Sequence, residues 1–341
     1  MKVWGIHMGE KVGSSPLDKH YVAIGWHELG DLTQCSDSRE QLKNALLETF
    51  SDIKKGAVAG NAGVLFRFVN SIHVNDIVVY PSKADRMVNI GRVTSDYHHV
   101  EHDQHEYPNQ RSIEWLGSFP RSDFSQAALN EIGAFITLFT VKRHATEFLN
   151  KVNLTASLEQ SDNYNPDDAE DDTDASDDST ATESVAQQAV QTTEDFIIKQ
   201  LHSKLNGYEF EYFVAHILEC MGYKARVSSK SGDGGVDVIA HKDELGFEPP
   251  IIKVQCKKST GQNGEPEVNQ LLGALGEGEY ALFVNLGSYS RPARLLERNK
   301  AKLRLIDGDE LVDLVLEHYG QLSPKYRTLL PLKQIYVADL A

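Results

Sequence analysis

Hydrophobic and polar positions fall into two regimes, separated by a stretch that is nearly free of apolar residues. From Met1 to about Val152 the apolar residues form short runs rich in β-branched and aromatic side chains. These runs are VWGIHMG, YVAIGW, GVLFRFV, DIVVYP, VNIGRV, IEWLG and AFITLFTV, parted by Gly, Asn, Asp or Pro. Such runs predict strands, and many short strands in one small domain predict a barrel. Helical spacing interrupts them once clearly: after Ser38, a capping residue with Gln41 three positions on, Leu42, Ala45, Leu46 and Phe50 share one face. A shorter helix is expected from Ser122 to Asn130.

From Glu194 to Gly320 the pattern alternates between helical stripes and apolar strands. Helices are predicted at Glu209–Met221, Glu267–Leu275, Pro292–Lys302 and Gly308–Tyr319, and strands at Val236–Ala240, Ile252–Cys256, Tyr280–Asn285 and LRLIDG. That order predicts an α/β layer domain with a central sheet. Between the two regimes, residues 153–193 are low in complexity and acidic. Such a segment buries too little apolar surface to offset its chain entropy, and reads as a flexible linker. It serves either as a solubilising spacer or as an electrostatic mimic of nucleic acid. The expected organisation is α+β and multidomain: 1–152, the linker 153–193, 194–320, and a tail 321–341 without assignable pattern.

A chain of 341 residues exceeds one typical core, in keeping with two domains. The formal net charge of −16 argues at first against a polyanionic partner. Ten acidic residues and no basic one lie between Ser161 and Ser184, however, which leaves the remainder at −6. A local basic groove stays compatible with that balance. Cys35, Cys220 and Cys256 are odd in number and widely spaced, so neither a disulfide framework nor a thiolate zinc site is indicated. With no signal core and no long apolar run, the expectation is a cytoplasmic protein without a membrane partner.

The candidate chemistry lies in SGDGGVDVIA and IIKVQCKK. Period-2 alternation sets Asp237 opposite in face to Val236, Val238 and Ala240, and sets Lys253, Gln255 and Lys257 opposite to Val254 and Cys256. If the two strands pair, Asp237, Gln255 and Lys257 converge. On the preceding helix, Phe210, Phe213, Val214, Ile217, Leu218 and Met221 form an apolar stripe with Glu211 at its margin, a costly place for a carboxylate unless a cation waits there. Phosphodiester hydrolysis needs a hard cation, a positioned water and stabilisation of developing charge. Asp237, Glu211 and the Gln255 carbonyl offer oxygen ligands suited to Mg²⁺, and Lys257 can orient or activate the water or stabilise the transition state. Asp233 reads as a turn residue and Cys256 as core.

FEYFVAHILECMGY, SGDGGVDVIA, VQCKK, ALFVNLGSYSRPAR and LRLIDGDELVDLV, in that order, resemble the catalytic domain of Mrr-type restriction endonucleases of the PD-(D/E)xK superfamily. The resemblance covers about Leu205 to Tyr319, and GDGGVD and QxK are its most diagnostic parts. It implies a central mixed sheet flanked by helices, DNA cleavage dependent on Mg²⁺ with Mn²⁺ as substitute, and catalytic roles for Asp237, Gln255, Lys257 and Glu211. Gln255 stands where the wider superfamily has an acidic residue, which leaves one fewer charged ligand. Arg291, Arg294 and Arg298 recur at helical spacing and are candidates for backbone phosphate contacts or, equally, a solvated helix face.

YVAIGWHELGDL, GVLFRFVNSIHVNDIVVYP and VNIGRVTSDYHHVEHDQHEYPNQRSIEWLGSF resemble the EVE/PUA-like barrels found fused to defence nucleases, over about Met1 to Lys151. That resemblance implies a pocket for an extruded, often modified, base. A flipped base needs aromatic faces and polar groups at its edge. Trp4, Trp26, Trp115 and Tyr97 are available as faces, Trp26 foremost, with Asp31, His27 and Ser95 as edge readers. The histidines of HHVEHDQH match no common zinc spacing and read as loop residues. Together the two halves predict a type IV-like, modification-dependent restriction enzyme of antiviral defence, dimerising, on DNA, for two-strand cleavage. A DNA-binding sensor that cuts poorly, and a nuclease for structured RNA or tRNA, are the competing readings.

Overall fold

The computed structural model describes residues 1–83, 85–101, 107–133, 136–154, 178–228, 235–243, 245–248 and 250–334. The chain divides into two compact units, Met1–Gln191 and Thr192–Tyr336.

The first unit contains strands β1 (Val3–Ile6), β2 (Tyr21–Ile24), β3 (Ile77–Pro81), β4 (Met87–Val93), β5 (His98–His99), β6 (Asn109–Pro120) and β7 (Leu138–Thr140). Its helices are α1 (Ser15–Asp18), α2 (Arg39–Thr49), α3 (Lys55–Asn70), α4 (Gln126–Ile132) and α5 (Ala145–Lys151). The strands form one mixed, curled sheet in the order β2-β6-β4-β3-β1-β7, with β5 on β6. β1 and β3 run parallel, and the other described pairings are antiparallel. Alternation along β3 separates two cores: Val78 and Tyr80 join Leu42, Leu46, Leu65 and Phe68, while Ile77 and Val79 join Leu129, Ile132, Phe148 and Leu149. The sheet is therefore covered on both faces. Among the described residues the strand path is open between β2 and β7.

The helix expected after Ser38 is α2, capped by the Ser38 side chain, which accepts from Gln41 N. GVLFRFV corrects the sequence reading: it lies in α3, not in a strand. Val58, Ala62, Leu65 and Phe68 recur at helical spacing and are buried, a stripe masked by the glycines before it. Fully buried Arg111 closes that helix, donating to Phe68 O at 2.9 Å and Val69 O at 2.8 Å.

A second correction concerns the linker. Helix α6 (Asp178–Lys204) occupies its C-terminal part, and residues 155–177 lie outside the described residues. Ile197, Ile198 and Leu201 of α6 enter the core of the second unit, so the Ala- and Gln-rich run before them belongs to a helix with an apolar anchor.

The second unit continues with α7 (Gly207–Cys220), β8 (Lys224–Val227), β9 (Val238–His241), β10 (Ile251–Lys257), β11 (Gln262–Asn263) and α8 (Glu265–Gly273). Then come β12 (Glu279–Asn285), β13 (Ser288–Tyr289), α9 (Arg291–Asn299), β14 (Leu303–Ile306), α10 (Gly308–Glu317) and α11 (Pro324–Leu329). Its main sheet has the order β14-β12-β10-β9-β8, with β10, β12 and β14 parallel and β8, β9 and β10 antiparallel. One face packs on Phe210, Phe213, Val214 and Ile217 of α7 together with α10, and the other on Val268 and Leu271 of α8 and Ala293 of α9. The tail that the sequence left unassigned belongs here: Leu322, Tyr326 and Leu330 are buried in the first of these cores. Among the described residues no helix is long and apolar enough to cross a membrane.

Candidate active site

Asp237 meets β10 where β9 stops and β10 runs on. The ladder pairs Ile252 with Ala240, Lys253 with Ile239 and Val254 with Val238, and its continuation sets Asp237 opposite Gln255. Asp237 N donates to Val254 O at 2.8 Å. Cys256 N then donates to Asp237 Oδ2 at 2.7 Å, so a carboxylate replaces the backbone acceptor that a longer strand would supply.

The simple alternation expected from Val236 onward does not hold. Val236 packs in the core beneath α8, whereas Val238 packs in the core beneath α7, so the backbone twists at Asp237 and the strand begins only at Val238. The Asp237 carboxylate consequently bonds to the end of the ladder rather than standing on the face of Gln255. Glu211, half-buried on α7, belongs to the same neighbourhood. Burial chiefly, then the charges of Asp237 and Glu211, push the Cys256 thiol well above its usual range. Cys256 packs at the edge of the core, in keeping with its expected structural role.

Gln255 is 4% exposed, and its Oε1 is buried without a hydrogen-bond partner. Its ladder partner on β12 is Phe283, of the core under α8, and Lys257 pairs with Asn285 two residues on. Gln255 and Lys257 thus share that face. Asp233 and Gly232–Gly234 lie outside the described residues.

Among the described residues no three or more His, Cys, Asp or Glu side chains cluster as a metal site. The candidate oxygen donors are the carboxylates of Asp237 and Glu211, whose charges both reach Cys256, and the Gln255 amide oxygen one residue away along β10. A buried acceptor left empty is destabilising, and the bare Gln255 Oε1 is what an oxygen-seeking cation or its water would fill. Mg²⁺ keeps several waters and takes one or two carboxylates, so these residues fit it.

Around helix α9 the structure divides the arginines. Arg294 corrects the sequence reading: it is held by Glu297 at 3.0 Å, Glu310 at 3.3 Å, Asp307, and the Leu305 carbonyl at 3.1 Å, and is spent on tying α9 to β14 and α10. Arg291 and Arg298 are exposed. A cavity of about 800 Å³ opens at the opposite ends of the strands, lined among others by Leu218, Met221, Ile252, Tyr280 and Leu303, and holds none of the candidate residues.

In the first unit the expected base-pocket residues separate. Trp4 is a core residue and leaves the candidate pocket: it is 2% exposed, and its Nε1 donates to Asp76 Oδ2 at 3.0 Å. Trp115, half-buried, donates from Nε1 to Pro16 O at 3.0 Å. Tyr97 and Asp31 do come together, at 3.2 Å between the Tyr97 hydroxyl and Asp31 Oδ1. Burial works against the Asp31 charge, but bonds from Thr33 and Tyr97 and the nearby His99 outweigh it and hold the carboxyl below its usual value. Sequence reading missed the hub of this group, Asn109. Fully buried, it accepts from Tyr97 at 2.7 Å, lies 3.2 Å from His99 Nδ1, and donates to Gly25 O at 3.3 Å. Its position just before an apolar run gave no sign of it.

Trp26 follows Gly25 with φ 60° and ψ 47°, a left-handed backbone rare for a bulky residue. The Asn109 bond to Gly25 on one side and the 2.9 Å bond from Leu32 N to the Tyr97 hydroxyl on the other hold this loop. His27 pairs at the surface with Glu28, and Ser95 Oγ accepts from Ser112 N. His102, Asp103 and His105 lie outside the described residues.

Residues 202–315 match a protein-family model described as restriction endonuclease, so the second unit carries a domain of that class. Residues 4–142 match a domain of unknown function, DUF8426. The type IV methyl-directed restriction enzyme EcoKMrr of Escherichia coli (strain K12) is 30% identical over 124 residues, 34% of this chain and 40% of the relative. An uncharacterised mitochondrial protein of Schizosaccharomyces pombe is 32% identical over 90 residues, 25% of this chain and 36% of its own. The chain thus spans about two fifths of the curated relatives it matches. The MspJI restriction endonuclease in complex with a 27-mer oligonucleotide superposes with TM-score 0.34 and 15% identity, covering 80% of this chain and 66% of that one. So loose a superposition says nothing of this chain's activity.

Proposed function

We propose that the protein is a Mg²⁺-dependent DNA endonuclease of modification-dependent restriction, in which the first unit reads a base and the second cuts. The observation that carries this reading is the bare, buried Gln255 Oε1 on β10, one residue from the Cys256 N–H that the Asp237 carboxylate accepts from, inside the segment matched as restriction endonuclease. Asp237, Glu211 and Gln255 would hold the cation, which supplies Lewis-acid polarisation of the scissile phosphate. Lys257, with no side-chain partner among the described residues, places a cation beside the phosphate.

The methyl-directed action named for the bacterial relative supports modified DNA as the substrate class. Trp26, held in a strained loop with Asp31 and Tyr97, is the aromatic face we assign to the base, on the curled sheet of the first unit. Cutting both strands requires two sites, and a dimer formed on DNA supplies them. The test is a cleavage panel with Mg²⁺ across unmodified, methylated, hydroxymethylated, glucosylated and phosphorothioated DNA, with structured RNA alongside. Cleavage of one modified DNA class is expected. Intact DNA throughout sinks the proposal, and preferential loss of the RNA replaces DNA as the substrate.

A further inference from the structure

Helix α8 packs on the same face of the mixed sheet as Gln255: Val268 and Leu271 share a core with Val236, Ala281 and Phe283, and Phe283 is the ladder partner of Gln255. Gln270 on this helix reaches the strand. A β-carbon at Gly235 would lie 3.2 Å from Gln255 Nε2 and 3.5 Å from Gln270 Nε2, so the two amides close on one backbone point, which a glycine at φ +89° leaves clear.

One turn back from Gln270, about 4.5 Å toward the start of the helix, stands Glu267. Residues 258–264 lead from the end of β10 to that start. A β-carbon at Gly264 would lie 3.3 Å from Glu267 Oε2, so the carboxylate turns back over the segment that enters the helix from β10.

Two oxygens, Gln255 Oε1 on β10 and Glu267 Oε2 on α8, are buried without a hydrogen-bond partner. Glu267 forms no ion pair among the described residues, although a carboxylate in the first turn of a helix commonly bonds backward to its cap. Empty buried acceptors are destabilising, and a fold retains them where a ligand or water completes them. We propose that Glu267 is a further residue of the cleavage site, its carboxylate and the Gln255 amide oxygen gripping the attacking water, with Gln270 as the positioning residue that keeps the Gln255 amide turned toward it. This rests on the nuclease reading of Asp237, Gln255 and Lys257. Glu267 restores to the site the acidic group that Gln255 lacks.

The experiment compares Glu267→Leu, Glu267→Gln, Gln270→Ala and Asp237→Ala in the full chain, measuring kcat and KM on a cleavable modified plasmid with Mg²⁺, and the thermal unfolding midpoint. Glu267→Leu removes an unpaired buried acceptor, so its midpoint stays level or rises. Its kcat falls on the order of 100-fold because the water is no longer placed, while KM stays within about threefold. Glu267→Gln keeps an acceptor oxygen and loses less than the leucine variant, and Gln270→Ala lowers kcat with KM unchanged. Cutting by Glu267→Leu within about threefold of wild type, with Asp237→Ala inactive, overturns this inference and leaves the nuclease reading standing. A Glu267→Leu protein that loses stability along with cutting marks Glu267 as structural and also overturns it. Should wild type and Asp237→Ala both leave the plasmid intact, the nuclease reading falls and the inference with it.

Discussion

Replacing Asp237 separates the two roles that the structure gives its carboxylate. The 2.7 Å bond from Cys256 N satisfies a backbone donor at the end of the ladder. Asp237→Ala strands that N–H, at a cost of about 1–3 kcal/mol, and lowers the unfolding midpoint of the second unit by roughly 2–4 °C per kcal/mol. Asp237→Asn keeps an oxygen at the same place and stays within about 1 kcal/mol of wild type, the scale of one neutral hydrogen bond. Both variants remove the charge a metal needs, so both lose cleavage.

Both also remove a charge that, after burial, raises the Cys256 thiol, so alkylation of Cys256 at fixed pH accelerates in each. Urea unfolding, plasmid cleavage and alkylation of the folded chain read the three effects separately. Equal destabilisation by Asn and Ala, or cleavage by Asp237→Asn at the wild-type rate, would refute the reasoning.

Trp4→Ala, which empties a buried site and takes one of its donors from Asp76, costs about 3–5 kcal/mol by urea unfolding. Trp26→Gly loses the packing of a half-buried ring but relieves a left-handed backbone, so it costs less than Trp4→Ala, while cleavage loses its preference for modified over unmodified DNA. Arg291→Ala and Arg298→Ala each lower DNA affinity and flatten the logarithmic salt dependence by about 0.9 in slope. Arg294→Ala leaves that slope unchanged and destabilises the unit by about 1–3 kcal/mol, because Asp307 loses its cationic partner and Glu310 one of two. Burial lowers His7 from 6.5 to about 4, so the ring is neutral in the fold and the unfolded chain takes up a proton first. Stability of the first unit is therefore complete above pH 6.5 and falls by about 3 kcal/mol toward pH 4. His7→Phe removes that acid limb in urea titrations.

The second unit was the more legible half. Its strands carry continuous apolar runs and its helices apolar stripes, so elements could be placed within a few residues, although the capping pair Asn206 and Glu209 that starts α7 at Gly207 was missed. Alternation said which residues share a face, but the pairing of β9 with β10 was only a condition in the sequence and is supplied by the sheet. The twist at Asp237 was not legible either, since it arises from Val236 packing under α8, a tertiary demand. In the first unit GVLFRFV misled because seven apolar-rich residues fit both periods, and the burial of Val58 and Ala62 upstream decides for helix. Trp4 and Trp115 show the same limit: a tryptophan in a strand looks alike whether it lines a pocket or fills a core. Arg294 had helical spacing, and of its acidic partners only Glu297, three residues on, was near in sequence; Asp307 and Glu310 come from the start of the next helix.

The claim that β10 carries a catalytic lysine beside a metal site is tested most directly by Lys257→Ala. Wild type and variant are incubated with a plasmid from a methylating host, with and without Mg²⁺, and DNA binding is followed by gel shift without metal. The account predicts Mg²⁺-dependent nicking and linearisation by wild type and none by Lys257→Ala, with DNA affinity within about threefold of wild type because one charge adds little to a large footprint. Cleavage by Lys257→Ala at the wild-type rate, or affinity that collapses together with cutting, would contradict it.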